Sequence, residues 1–562
     1  MRTVEQVLQD WEAVIGLEVH TELTTLNTKM FCGCRIEYGA APNTHVCPVC
    51  LGMPGALPVP NKAAIQSIVL AGLATNCEIE KRSMFYRKNY FYPDMSKNFQ
   101  TTQGPVAFCM RGWLDLEVSG AAAGERVHLD GTTPLSFASL TGESSGRLMD
   151  CELDSPVKPA FAGSPPNPDS VGCNDSNGYS THIGITRIHM EEDAGKMIHV
   201  GGESGRITGA NYSLVDYNRC GTPLIELVTE PDLRTPEEAR LFVQKLRQIY
   251  LTLDISNCSM EEGSLRCDGN VSLRRRGSTT LGTKTELKNM NSFKNLHDGL
   301  AFEICRQAEI LDEGGTVIQE TRHWEPATKR TVSMRVKETA DDYRLFPEPD
   351  LAPYDLTDEF IESVRAKLPE LPDSKRQRLI ESYGLSLSDA SILANDMDLI
   401  SFFDAAVDAI ALVDATVAVD AIALAKPLAN LLLNDVSAYL NANNLTLSQT
   451  KLTAVNLAQL AQLISSDTIS SKQGKEVFSK TIETGDSPKK IIESSGIKQV
   501  SDTAELELIA NQIITQNPDK VAEYQAGKTG LIGFFVGQAM QVTKGQANPK
   551  LLNQTFSRLL AK

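Results

Sequence analysis

Nowhere does the 562-residue chain approach the roughly 18 consecutive apolar residues that a membrane-crossing helix needs. Its first ten residues carry acids and no apolar stretch, which excludes a secretory signal. Cysteine is scarce, 12 residues in all, too few for a secreted disulfide scaffold, so a reducing compartment is expected. Positive charge is in deficit. Lys and Arg number 54 against 71 Asp and Glu, a net −17, which excludes a globally basic nucleic-acid coat. Any RNA contact must therefore be local. No Walker A motif and no Rossmann glycine pattern follows a strand, so an ATP site here is of another type. No repeat at a solenoid period is present.

What is present reads as a globular chain of three or four domains, with 41% hydrophobic and 22% charged residues. Residues 11 to about 118 alternate short apolar runs with Gly/Pro punctuation. VIGLEVH at 14–20 reads as a strand with polar groups at every second position, and 65–73 as a buried helix. Residues 119 to about 182 are crowded with Ser, Gly, Pro, Asn and Asp; such a segment buries too little apolar surface to offset its ordering entropy, and is expected to be a dispensable surface insertion, with a functional lid as the competing reading. Strand alternation returns at 183–190. Thr235, Pro236, Glu237 and Glu238 form a cap, a first-turn proline and an acidic first turn, followed by a helix along Ala239, Phe242, Val243, Leu246, Ile249 and Tyr250. From about 356 the chain reads as helical. Residues 449–562 hold 13 Lys/Arg against 10 Asp/Glu, the one mildly basic block.

Two pairs of thiols, Cys32 with Cys34 and Cys47 with Cys50, suit a closed tetrahedral zinc site; the bland alternative is four thiols around a Gly/Pro loop. The other eight cysteines are isolated and read as packing residues. Acids and imidazoles recur on apparent strands. Glu18 and His20 share one face of a strand. His189, Glu191, Glu192 and Asp193 form a polar knot, Glu226 interrupts an apolar strand, and Asp268 and Glu286 follow. Hard oxygen donors suit Mg²⁺ carrying a nucleotide phosphate, while separate salt bridges are the competing account. RKNYFYPD at 87–94 places basic groups beside aromatics, as a phosphate or base site would, or as a plain strand edge would. Glycines at 527, 530, 533 and 537, with Lys528 and Lys544, permit close approach of a bulky anion; a tightly packed helix pair is the alternative.

These segments together resemble the B subunits of tRNA-dependent amidotransferases. The resemblance rests on VIGLEVH at 14–20, CPVCLG at 47–52, RKNYFYPD at 87–94, HMEEDAGK at 189–196 and SLVDYNR at 213–219. It continues through GSLRCD at 263–268, LKNMNS at 287–292, DDYRLFP at 341–347, FFVGQ at 534–538 and KGQANP at 544–549. It covers the chain from about position 11 to the end, apart from the insertion.

The resemblance implies an α+β protein. A cradle-shaped, kinase-like α/β domain with a zinc-binding loop would span 1–355, an all-α helical domain 356–448, and a helical tRNA-binding tail 449–562. It implies a carbon–nitrogen ligase with glutamine as amide donor. The side-chain carboxylate of Glu-tRNA(Gln), Asp-tRNA(Asn) or both would be phosphorylated by ATP and then amidated. Glu18, His20, Glu192, Glu226, Asp268 and Glu286 correspond to the family's metal and catalytic groups. Glu18, His20, Glu192 and Glu226 would hold Mg²⁺, Lys88 would stand by the nucleotide, and Cys32, Cys34, Cys47 and Cys50 would hold Zn²⁺. Lys528 and Lys544 would contact tRNA phosphates. The chain has no Gly/Ser-rich amidase motif of its own, which agrees with ammonia arriving from a separate amidase A subunit, a small C subunit completing a heterotrimer. MSKNFQTT at 95–102 departs from the family's usual Pro, Tyr and Ile-Ser there. The low-complexity insertion favours a mitochondrial or plastid protein over a bacterial cytoplasmic one. A non-catalytic tRNA-binding scaffold is the competing reading.

Overall fold

The computed structural model describes residues 2–90, 95–118, 178–201, 209–336, 343–413, 421–495, 503–543, 547 and 549–560. They belong to two compact units, 1–369 and 370–562. Most of the expected insertion, 119–177, lies outside the described residues, as do Lys544, the end of RKNYFYPD and the start of DDYRLFP.

The first unit is built on a 12-stranded sheet. In chain order the strands are β1 (Trp11–Glu22), β2 (Glu78–Ile79), β3 (Arg82–Ser83), β4 (Phe85–Asn89), β5 (Phe99–Gln103), β6 (Cys109–Val118), β7 (Tyr179–Glu192), β8 (Lys196–Val200), β9 (Tyr212–Asp216), β10 (Pro223–Thr229), β11 (Leu265–Arg275), β12 (Thr285–Lys288), β13 (Glu320–Glu325), β14 (Arg330–Val336), β15 (Phe346–Pro347) and β16 (Tyr354–Asp355). Across the sheet they run β14-β13-β12-β11-β1-β10-β7-β5-β4-β15, with β6 on β7 and β2; β3–β16 and β8–β9 form separate ribbons. The β12–β13 pair alone among these is parallel, and a helix makes its crossover, as parallel strands require.

Strand β7 begins at Tyr179, which pairs with Val118 of β6. The last residues of the expected insertion are therefore ladder residues. Their Ser/Thr composition hid a strand whose alternate members, Thr181 and Ile183, are buried.

Among the described residues five helices accompany the sheet: α1 (Val4–Asp10), α2 (Lys62–Ala74), α3 (Pro236–Thr252), α4 (Phe293–Asp312) and α5 (Asp358–Arg365). The third starts where its sequence signals put it, with the Thr235 hydroxyl accepting from the Glu238 N–H and Pro236 in the first turn. Its periodic residues Phe242, Val243, Leu246 and Tyr250 are fully buried. Helices α2, α3 and α4 pack on the sheet. They cover the face that carries Leu17 and Val19 of β1, Ile225 and Leu227 of β10, Ile188 and Met190 of β7, and Val271 of β11, all buried. Each such side chain stabilises the fold by about 1.5–3 kcal/mol. The period of two then sends the intervening residues to the opposite face, where Glu18 and His20 of β1, Glu226 of β10, Glu191 of β7 and Asp268 of β11 stand beside apolar Val14, Leu224 and Val228.

The second unit is helical: α6 (Pro372–Tyr383), α7 (Leu387–Asn395), α8 (Met397–Val413), α9 (Ala421–Asn430), α10 (Ser437–Asn443), α11 (Ala454–Ser465), α12 (Ser471–Thr484), α13 (Pro488–Ser495), α14 (Thr503–Gln516), α15 (Pro518–Gln525), α16 (Ile532–Val542) and α17 (Pro549–Leu560). One apolar core runs from Leu379 to Ile491 and takes in Leu447 and Leu452 on either side of position 448. A separate core joins Leu506, Ala510, Phe535, Leu552 and Phe556. Sheet first and helices after, the chain is α+β.

Candidate active site

Register gathers the polar face. His20 lies opposite Glu226, and Glu226 opposite His189. Glu18 lies opposite Asp268, and Asn270, two residues along, opposite Glu286. Adjacent strands are about 4.8 Å apart, so carboxylates far apart in sequence are brought within reach of one ion.

They form two groups. In the first, ligand atoms of His20, Glu191 and Glu226 all lie within 4.8 Å of one another. His20 Nε2 is 3.0 Å from Glu226 Oε2 and 3.7 Å from Glu191 Oε1. His189 Nε2 stands 3.5 Å from the same Glu226 oxygen. Burial lowers the His189 pKa to about 4, so the ring is neutral near pH 7. Burial opposes the Glu226 carboxylate, yet His189 and the His20 hydrogen bond outweigh it and hold its pKa below the usual carboxylate range. Burial likewise opposes the His20 cation, and Glu226 overcomes it, raising the His20 pKa. Burial, then the Glu226 charge, pushes Glu191 up to about 7. Its Oε2 is buried and has no hydrogen-bond partner among the described residues. A buried carboxylate oxygen of that kind is costly unless a cation completes it. The donor set, two carboxylates and one imidazole, fits a divalent ion that keeps water in its remaining positions.

In the second group the ligand atoms of Glu18, Asp268 and Glu286 also lie within 4.8 Å. Here the chain supplies its own cation. Lys288 Nζ bonds the Asp268 carboxylate and lies 3.3 Å from Glu286 Oε1. Burial works against that ammonium, and the two acids more than compensate, raising its pKa. Asn270 Nδ2 donates to Glu18 at 3.1 Å, and the Thr321 hydroxyl to Glu286 at 2.7 Å.

Five of the six residues expected at the site thus meet on one face. Glu192 does not join them. Strand alternation turns it away from Glu191, and its carboxylate is buried against Lys97 Nζ at 2.5 Å while accepting from the Thr101 N–H at 2.9 Å. Glu191 takes the place expected for Glu192. Two successive acids gave no preference by themselves; the strand pairing that sets Glu226 opposite His189 fixes which faces the site. His189 and Lys288 were not among the expected site residues, although both lie in the quoted motifs.

Lys88 Nζ sits 5.0 Å from the centre of the Tyr343 ring, and its charge is felt at Glu191 and Glu226. Its neighbour Arg87 is tied to Glu348 at 2.6 Å and lies over the Phe99 ring. In the tail, exposed Lys528 pairs with Glu523 at 3.1 Å. A Cβ built on Gly527, Gly530, Gly533 or Gly537 would meet nothing within 4 Å, so these glycines do not serve a tight helix pair.

The sulfurs of Cys32, Cys34, Cys47 and Cys50 all lie within 4.8 Å of one another, with Cys32–Cys50 at 3.5 Å and Cys47–Cys50 at 3.7 Å. A zinc–thiolate tetrahedron with bonds of about 2.3 Å has edges of about 3.8 Å, which these sulfurs fit. The hydrogen bond from Cys32, against burial and with help from Lys29, draws the Cys50 thiol down to about 4. Six of the other cysteines, Cys77, Cys109, Cys220, Cys258, Cys267 and Cys305, are buried as packing residues; positions 151 and 173 lie outside the described residues.

Comparison with known proteins gives the family. Residues 13–362 match the model of the GatB/GatE catalytic domain and residues 413–560 that of a GatB domain. The chain is 43% identical over 555 residues to the B subunit of the aspartyl/glutamyl-tRNA(Asn/Gln) amidotransferase of Brevibacillus brevis, covering 98% of this chain and 99% of that one. It is 43% identical over 551 residues to the corresponding protein of a Geobacter species, with 98% and 99% covered. Against that of Acaryochloris marina it is 41% identical over 553 residues, with 98% of each covered. No helix among the described residues is long and apolar enough to cross a membrane. The chain belongs to the family of B subunits of the aspartyl/glutamyl-tRNA(Asn/Gln) amidotransferases, ligases that act on tRNA.

Proposed function

We propose that this chain activates the side-chain carboxylate of Glu-tRNA(Gln), Asp-tRNA(Asn) or both with ATP, on the polar face of its sheet. A carboxylate does not react with ammonia, because its oxygen is a poor leaving group. In the first step a carboxylate oxygen attacks the γ-phosphorus of ATP, the bond to ADP breaks, and an acyl phosphate forms. Ammonia then attacks the acyl carbon, inorganic phosphate leaves with the C–O bond pair, and the nitrogen loses a proton. The observation that carries this reading is the His20–Glu191–Glu226 group with its orphaned Glu191 oxygen, in a chain of this family.

His20, Glu191 and Glu226 would hold Mg²⁺, which when bound neutralises charge between two anionic reactants. Neutral His189 can donate from Nε2 toward Glu226 and keep that carboxylate aimed. Glu18, Asp268 and Glu286 form the adjoining wall, with the Lys288 ammonium available to a phosphoryl oxygen. Lys88 is in position to face the nucleotide phosphates. Zn²⁺ on Cys32, Cys34, Cys47 and Cys50 would be structural, since four sulfurs leave no open position. The ammonia would come from an amidase A subunit, with a small C subunit completing the assembly. The basic tail would capture tRNA away from the chemistry. Its bare glycine surface at 527–537 lets a phosphate backbone approach closely, and its separate core makes the segment after position 502 the natural unit of that capture.

The test is Glu191→Gln in the reconstituted complex with misacylated tRNA. Size is kept and the metal-holding charge is lost. ATP-dependent amidation should collapse while glutamine hydrolysis by the partner persists. Amidation at the wild-type rate would overturn the assignment.

A further inference from the structure

Lys29 is fully buried, yet it is neither at the carboxylate groups nor at the surface. Its Nζ meets three partners: the carbonyl of His45 at 2.9 Å, the carbonyl of Tyr217 at 3.1 Å and Cys50 Sγ at 3.3 Å. Both carbonyls can only accept. Two carbonyl oxygens and the Cys50 sulfur thus offer one acceptor to each of the three N–H groups of an ammonium. A buried ammonium needs an anion in contact, and the only candidate among these three is the Cys50 thiolate.

The neighbourhood gives that contact a direction. The Tyr217 carbonyl belongs to the turn that leads from β9 into β10, the strand of Glu226. The turn is fastened to the cysteine loop elsewhere too: the Met30 N–H donates to the Gly221 carbonyl at 2.7 Å, and the His45 N–H to Asn218 Oδ1 at 2.9 Å. It is fastened to the end of β7 by the reciprocal bonds of Gly221 N–H to Asp193 O at 3.0 Å and Asp193 N–H to Thr222 O at 2.9 Å. Asp193 follows Glu191 by two residues. Gly221 has φ +86°, and a Cβ there would press on the Lys29 stem at 3.3 Å, so the turn is shaped around that side chain.

We infer that Lys29 is a positioning residue that joins the four-cysteine site to the carboxylate site: its ammonium is the charge partner of the metal-bound thiolates and holds the turn that sets Glu191 and Glu226. The inference rests on the zinc reading. Four thiolates around one Zn²⁺ carry a net charge of −2, and an N–H···S bond to one of them lowers the charge the metal must bear. Without Lys29, the thiolates lose that compensation and the turn loses its tie to the loop.

The test uses the full chain, as wild type, Lys29→Met and Lys29→Arg. Release of zinc to a colorimetric chelator should be about 10- to 100-fold faster in Lys29→Met, the usual scale for losing an outer-shell partner. Lys29→Arg keeps the charge and should restore part of the retention. Mn²⁺ binding at the sheet face, followed by electron paramagnetic resonance, should weaken in Lys29→Met in the same order. Melting in excess zinc serves as the folding control, and any release measurement is made on the folded fraction. Equal zinc release by wild type and Lys29→Met overturns the inference. Faster release with unchanged Mn²⁺ affinity overturns the link between the two sites. Purified wild type without zinc instead overturns the zinc reading, and the two failures are told apart by metal content alone.

Discussion

Two faces of one sheet treat the same residue type in opposite ways. Glu191 and Glu192 are neighbours on β7, both nearly fully buried. On one side Glu192 has its charge matched by Lys97 and its oxygens filled by the chain. On the other, Glu191 keeps an oxygen that no described residue satisfies, beside a second carboxylate. Burial alone does not distinguish the two acids; the unpartnered oxygen does. The polar face repeats the contrast within itself, since the Glu18–Asp268–Glu286 group has Lys288 bonded to it, while the nearest ion-pair partners of Glu191 and Glu226 among the described residues are the imidazoles of His20 and His189.

The largest effect should come from the acid that is not at the site. Glu192→Gln leaves Lys97 as a buried cation without its counter-charge, which costs about 3–5 kcal/mol. Chemical denaturation of the isolated chain reads that loss, and unchanged stability would erase the distinction between the faces. Glu191→Gln, by contrast, should leave the melting temperature at or above wild type while amidation falls on the order of 100-fold, the scale for removing one preorganised electrostatic group. Single-turnover amidation with saturating ATP measures it.

Removing residues 503–562 takes out one core whole. The apparent KM for tRNA should rise on the order of tenfold, as loss of a few phosphate contacts implies, with tRNA-independent glutamine hydrolysis unchanged. A parallel fall of both activities would mean that the tail only supports the fold.

Lys288→Met strips the second carboxylate group of its cation. Because that lysine is partly exposed, stability should change by about 1 kcal/mol or less. Calorimetric titration with Mn²⁺ should then reveal an additional weak site absent from the wild type. The smallest effect belongs to Lys528→Ala, which should lower the salt slope of tRNA binding by about one while barely altering binding at low salt.

Much of this was legible in the residue order. The strand at 14–20, the capped helix at 236–252 and the four-cysteine spacing are local patterns, and local physics realises them. The long-range meeting of Glu18 with Asp268 and of His20 with Glu226 was not written in any window, because cross-strand partners 200 residues and more apart are fixed only by sheet order. Composition also misled at 179–182, where polar residues on a sheet edge read as loop until their ladder with β6 is known.

By itself, then, the sequence determined the residue types needed for the chemistry and the periodicities that build the elements. It settled that Ile15, Leu17 and Val19 recur every second residue on β1, with Glu18 and His20 between them, and that an acid stands inside the apolar run of β10. Only the tertiary structure decided that Glu191, and not Glu192, stands with His20 and Glu226. In a strand a shift of one residue reverses the face, and which of two adjacent acids looks into the site depends on the register against a strand more than 30 residues away in sequence. It likewise decided that Lys288 would stand at the Glu18–Asp268–Glu286 group, because that depends on which cation the folded chain can bring within about 3 Å.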